Sequence, residues 1–313
     1  MNRHAIVPAL ALLVSATAGA AVDPNLMGLV MPDAKVLYGI QVQQTLASPF
    51  GKYAISHLPQ SDAMVRFQAA TGFDLQRDLR EILVASSTTG DLRDGSDALV
   101  LASGAFAPDK VLALATVIGA KVSDYRSVVM ITPPQQRDDR VFAFLDASTI
   151  AMGSEPLIRS VIDRRTALSV FAGPLFQKAI DASATHDAWF ATVTPLTDLI
   201  PAGPTGGFDP TTLLQSVIES WVGVHFDTNG LTLSAEALTH SATEAQGLAG
   251  MLKLMSGMVK GTPAAALQNA QVSASGPVMR VILTVPELDL ERTFHGAAPG
   301  CPLVFTASVS FLR

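Results

Sequence analysis

The chain has 313 residues, of which 49% are hydrophobic and only 15% are charged, and its formal net charge is −6. This mildly acidic balance without a basic cluster argues against nucleic acid and anionic membrane surfaces as partners. Beyond the N-terminus no segment reaches the ~18 apolar residues of a membrane-spanning helix, so the mean hydropathy of +0.35 indicates large cores, a partner surface or an apolar cavity.

Residues 1–20 have the pattern of a secretory signal peptide. Arg3 supplies the positive end, residues 5–14 form the apolar run, and Ala18-Gly19-Ala20 is a small-x-small cleavage site. No cysteine follows that site, which argues against lipid attachment. The sequence therefore predicts a periplasmic or secreted protein that is soluble after cleavage near Ala20.

A first α+β unit is predicted at residues 21–165. Apolar alternation and short apolar runs predict strands at 32–42, 81–86, 98–103, 127–132, 141–145 and 149–152. Helical periodicity with capping residues predicts helices at 46–58, 61–70, 110–118 and 157–165, with a short helical turn at 74–80.

A helical connector at residues 166–186 and a second unit at 187–313 are predicted to follow. The second unit has predicted strands at 187–193, 222–226, 231–237, 271–275 and 279–285. Its predicted helices are at 213–221 and in the glycine-rich stretch that ends at Gly261. Asn229-Gly230 predicts a hairpin turn, and the tail alternates in a way typical of one more strand at Phe305, Ala307, Val309 and Phe311.

Two stretches share one plan of strand, turn and apolar helix, at residues 96–119 and 230–259. Segments 33–40 and 187–193 both open with Asp-Ala and continue as a strand. Two related tandem halves would explain both matches, and a chance match within one continuous domain is the alternative. We therefore predict an α+β fold whose antiparallel sheets are covered on one side by helices.

The helix of the second half has an apolar arc over more than half of its circumference, which predicts cover from more than one side. Met251, Met255 and Met258 form a stripe on it, and methionine adapts to varied apolar partners. Core packing is the favoured explanation of this stripe, and an apolar ligand or partner face is the alternative.

The sequence predicts no metal and no cofactor. Asp91, Asp94 and Asp97 surround Gly95, but Arg93 stands where a calcium loop needs an oxygen ligand. The histidines lack the spacing that places two zinc ligands on one helical face; after the signal peptide they are His57, His186, His225, His240 and His295.

No local pattern indicates a catalytic nucleophile or a phosphate loop. The chain has neither a G-x-S-x-G motif nor the companions of an S-x-x-K motif, and residues 203–207 lack the lysine of a phosphate loop. Asp138-Asp139 lies between arginines, as is typical of a solvated loop tip. Cys301 is the single cysteine, predicted to be a buried thiol or to pair between chains.

Several stretches resemble an uncharacterised family of secreted bacterial proteins over roughly residues 30–200. They are PDAKVLYGIQV, SPFGKY, TGFDLQRDLREILVAS, DRVFAFLDASTIAMGSEPLIRSVIDRR and DAWF. The resemblance implies an extracytoplasmic location and a fold, and no activity.

The leading functional hypothesis is a non-enzymatic binding or protein-interaction module of the bacterial envelope, whose partner is an envelope protein or an apolar small molecule. The first alternative is a carrier of an apolar, lipid-like ligand. The second is a hydrolase with a site assembled from distant residues, which needs a histidine within hydrogen-bond reach of a Ser, Asp or Glu in one cleft.

Overall fold

A computed structural model describes residues 21–56, 62–88, 98–134, 140–165, 173–195, 197, 214–228, 230–258 and 268–286. These residues form an α+β fold built on one twelve-stranded antiparallel sheet, so the predicted class and pairing are confirmed. The strands are β1 Val36–Gln41, β2 Leu79–Ser86, β3 Ala98–Gly104, β4 Lys121–Tyr125, β5 Val128–Thr132, β6 Arg140–Phe144, β7 Thr149–Ser154, β8 Ala188–Thr192, β9 Val217–Asp227, β10 Gly230–Thr239, β11 Gln271–Ser275 and β12 Val278–Pro286.

Helices connect these strands. Within the described ranges they are α1 Pro24–Met27, α2 Val42–Thr45, α3 Pro49–Ser56, α4 Asp62–Thr71, α5 Leu75–Asp78, α6 Pro108–Val117, α7 Glu155–Arg164, α8 Pro174–Ser183 and α9 Ala242–Met258. α6 and α8 begin with a proline. Proline is favoured at the first helical position because the N–H of that residue has no partner within the helix, so its absence costs no hydrogen bond.

The strand order across the sheet is β11-β12-β10-β9-β8-β1-β2-β3-β7-β6-β5-β4. β1 and β8 pair in the middle, so both predicted units contribute to one continuous sheet. Outward from this pair lie β2 and β3 on one side and β9 and β10 on the other, and a helix follows each of β3 and β10. Two tandem halves would produce this order, and their relation stays a prediction.

The main core lies on the face of the sheet that α1, α7 and α8 cover. Its buried residues come from these helices and from alternate positions of the strands, among them Leu37, Leu83, Leu101, Met130, Ala143 and Ala191. The opposite face carries α6 near β4, and α3 and α9 over the strands of the second unit. The helical cover predicted for one side is therefore divided between two.

The segment just after the predicted cleavage site is part of the main core. Val22, Leu26 and Met27 are buried there together with residues 29–31. Asp23 caps α1 by accepting a hydrogen bond from the Asn25 N–H at 2.8 Å. The signal-peptide prediction itself concerns residues 1–20, which lie outside the described residues.

The predicted helix at residues 213–221 is wrong from Val217 onward, where β9 begins. Both neighbours of this segment are strands, and its N–H and C=O groups pair with β8 and β10. The strand pairing with distant segments stabilises this conformation more than the local helical preference of the segment stabilises a helix. β4 was not predicted at all: it is a short edge strand whose residues are mostly exposed.

The predicted connector contributes to the core. α8 lies within it and buries Leu175, Phe176 and Ala179 among the main core residues. The tail strand and the thiol of Cys301 fall outside the described residues.

Gly39 in the central pair of strands has no room for a side chain. A Cβ placed on it would lie 2.6 Å from the Cζ2 atom of Trp189, its neighbour on β8. We expect Gly39→Ala to lower the free energy of unfolding by about 1–3 kcal/mol through overpacking, measured by urea denaturation. The matched control is Gly250→Ala in α9, where the Cβ meets open space and helix propensity should raise stability by about 0.5–1 kcal/mol. Equal effects would contradict the close Gly39–Trp189 contact.

Candidate functional site

An apolar cleft lies between α6 and the sheet. It has a cavity volume of about 310 Å³. Its apolar lining includes Leu112 from α6, Val129 and Ile131 from β5, and Phe144 from β6, while Asp109 and Asp146 supply carboxylates. A volume of this size is at the lower end of the range for small-molecule sites, roughly 300–1,000 Å³.

Strand alternation explains why the floor of the cleft is apolar. Val128 and Met130 of β5 are buried in the main core, so Val129 and Ile131 between and beyond them face the other side of the sheet. In β6 the same alternation separates Ala143, a core residue, from Phe144. Both faces of this part of the sheet are therefore apolar.

Helix α6 is the roof of the cleft and is itself only partly covered. Ala115 is buried, and the helix contacts α4 and β4. At its C-terminal end Val117 is 84% exposed, and Ile118 just beyond is half-exposed. The apolar surface of this region therefore continues outside the cleft.

The carboxylate of Asp146 is held in place by a turn. Its Oδ1 accepts hydrogen bonds from the N–H and the hydroxyl of Ser148, both at 2.7 Å. Burial acts to raise the pKa of Asp146, but hydrogen bonds from Ser148 and Thr149 outweigh it and hold the pKa below its usual range. Asp146 is therefore ionised at neutral pH.

A second cluster of titratable side chains lies just before β8 and on β9, away from the cleft. The buried Asp187 Oδ2 is 3.0 Å from Nδ1 of the half-exposed His225 and accepts a hydrogen bond from the Phe226 N–H at 2.7 Å. This is the histidine–carboxylate contact that the hydrolase alternative requires. No Ser, Thr or Cys side chain in the described ranges is hydrogen-bonded to His225.

His186 next to this pair is a packed side chain. Its Nδ1 lies 2.9 Å from both the Ala182 carbonyl oxygen and the Thr185 hydroxyl, and its ring is 5.3 Å from that of Trp221. Burial lowers the pKa of His186, because the charged imidazolium is poorly solvated in this position. His186 is therefore neutral at pH 7.

The predicted methionine face lies elsewhere, on α9. Met251 is half-buried and packs against the second core cluster beside Leu248 and Met279. The backbones of Met255 and Met258 belong to α9, and their side chains lie outside the described residues. Leu254 in the same arc is 66% exposed, so part of the apolar arc is open to solvent. The ligand-face alternative stays a prediction.

Other residues considered from the sequence do not gather into a site. His240 lies 3.9 Å from Glu244 at the surface, and no group of three or more His, Cys, Asp or Glu in the described ranges could hold a metal ion. No helix in the part of the chain that the structure describes is long and apolar enough to cross a membrane. The aspartate loop at 91–97, Asp138-Asp139, His57 and His295 fall outside the described residues.

The sequence contained only a partial signal for the cleft. Strands at 127–132 and 141–145 and a helix at 110–118 were predicted, so the elements that form the cleft were expected. That α6 leaves a space above β5 and β6 follows from its tertiary position, for which no local pattern exists.

The fold and the cleft define the class of protein: over the described residues it is an α+β protein built on one antiparallel sheet, with an apolar cleft beneath the helix that follows β3. No family model matches the chain, and no curated protein matches it in sequence. Among solved structures the chain is similar to crystal form III of TP0453, with 11% identity and a TM-score of 0.53 over 88% of this chain and 99% of that one. Crystal form IV of TP0453 gives 10% identity and a TM-score of 0.51 over 85% and 95%. Identity this low shows a shared fold alone.

Proposed function

We propose that the protein is a non-enzymatic binding module of the bacterial envelope that holds an apolar ligand in the cleft beneath α6. The observation that carries the proposal is the apolar lining: Leu112 above, and Val129, Ile131 and Phe144 below. When apolar ligand surface is buried against such a lining, each Å² of apolar area removed from water contributes roughly 25 cal/mol of binding free energy.

The envelope location is supported by the signal-peptide pattern at residues 1–20 and by the family resemblance. The apolar character of the ligand is supported by the cleft. Both agree with the high hydrophobic content of the chain, 49%.

Leu112→Glu is the variant that tests the cleft. It places a charge against the apolar floor, and we expect the affinity for octanol, used as a neutral apolar probe, to fall at least about tenfold. The measurement is a titration followed by methyl NMR, in which the resonances of Val129, Ile131 and Leu112 should shift in the wild-type protein. Circular dichroism of the variant checks that it is folded.

Val117→Glu is the matched control on the same helix. Because Val117 is exposed and does not line the cleft, we expect octanol binding to stay unchanged. Octanol shifts that avoid the cleft, or equal losses in both variants, would contradict the proposal.

Exposed Val117 and Ile118 support a second candidate, in which the outer surface of α6 docks on another envelope protein. The two variants separate the candidates. Docking through the outer surface would be lost with Val117→Glu and kept with Leu112→Glu, as measured by crosslinking in isolated envelopes.

A further inference from the structure

We propose that the ligand of the cleft carries a positive charge, so that the site takes a cationic amphiphile: an apolar chain that ends in an ammonium or a similar group. This inference rests on the proposed function. The apolar floor would hold the chain, and the carboxylates of Asp109 and Asp146 would hold the charged end.

The charges that line the cleft have one sign. Asp109 lies in the first turn of α6, and Asp146 follows β6. The amino end of a helix carries a partial positive charge of roughly half an elementary charge, which two full negative charges outweigh. The neighbouring Lys110 does not offset them, because its Nζ extends toward Gly72 at the end of α4.

The carboxylate of Asp146 is ionised and is held in one orientation. Two hydrogen bonds from Ser148 fix its Oδ1, and Thr149 also donates hydrogen bonds to this carboxylate. A ligand anion in the cleft would meet the like charges of Asp146 and Asp109, which disfavours fatty-acid-like ligands.

The experiment compares three probes that share one apolar chain: octylamine, which is a cation at pH 7, octanol, and octanoate, which is an anion. Each is titrated into the chain from Ala21 onward and followed by methyl NMR. We expect octylamine to bind about three- to tenfold more tightly than octanol and octanoate more weakly than octanol, with the difference shrinking at high salt.

The variants are Asp109→Asn and Asp146→Asn. Asparagine keeps an oxygen that can accept the Ser148 hydrogen bonds, so the turn should persist. Each variant should lower octylamine affinity about two- to fivefold and leave octanol affinity unchanged. Asp181→Asn is the control: it removes the same charge from α8, on the other face of the sheet, and should change neither.

The outcomes distinguish this inference from the function on which it rests. Octanol binding in the cleft without any preference for octylamine would overturn the positive charge and keep the apolar site. If Asp181→Asn reduced the preference for octylamine as much as Asp146→Asn does, the inference would also be overturned. The preference would then arise from the net charge of the protein and not from the cleft. Absence of binding by all three probes would overturn both proposals.

Discussion

Leu26→Ala is expected to lower the free energy of unfolding by about 3–5 kcal/mol. Leu26 is completely buried in the main core, although it lies only a few residues after the predicted signal-peptide cleavage site. Truncating a fully buried leucine removes its transfer free energy and leaves a cavity that the neighbours fill only in part. Urea denaturation of the chain from Ala21 onward measures the effect.

The matched control for this variant is Leu254→Ala. The same truncation on the exposed face of α9 should change stability by less than about 0.5 kcal/mol. Similar costs for the two variants would show that residues 22–31 are not part of the core.

Glu81→Gln is expected to remove a pH dependence of stability. Glu81 is 4% exposed on β2, and its Oε2 accepts a hydrogen bond from the Asp23 N–H at 3.1 Å. Burial raises the pKa of Glu81 from 4.5 to about 7, although the bond from Asp23 opposes the change. The neutral acid is therefore the form that the folded protein prefers.

The sign of the effect follows from proton binding. Between about pH 4.5 and pH 7 the folded state keeps the Glu81 proton that the unfolded state has lost, so stability falls as the pH rises through this window. The full shift corresponds to about 3 kcal/mol. In Glu81→Gln this contribution should be absent, and the variant should be more stable than the wild-type protein at pH 8.

The difference between the two stability curves isolates Glu81. His186, whose pKa burial lowers, contributes a slope of the opposite sign below about pH 6.5 and is present in both proteins. Glu155→Gln removes a surface carboxylate paired with Arg159 and should keep the wild-type fall with pH. A Glu81→Gln curve parallel to the wild-type curve between pH 4.5 and pH 7 would refute the assignment.

The structure also explains why Glu81 was not recognised in the sequence. A glutamate in a strand is ordinarily a solvent-facing residue, and Glu81 is the third residue of β2, a strand that was expected at 81–86. Its environment is made by Asp23, 58 residues earlier, and by Gln41, its neighbour on β1. The desolvation that changes its pKa is thus a property of contacts between distant segments.

The sequence by itself determined the α+β class and most of the elements, because alternation, helical periodicity and capping residues act within a few positions of each other. β1, β5, β10 and α6 are examples in which local preference and final structure agree. The tertiary structure alone decided that β9 already begins at Val217, that the two units share one sheet, and that a cleft remains beneath α6. Pairing, burial and empty space depend on residues far apart in the chain, and no local pattern specifies them.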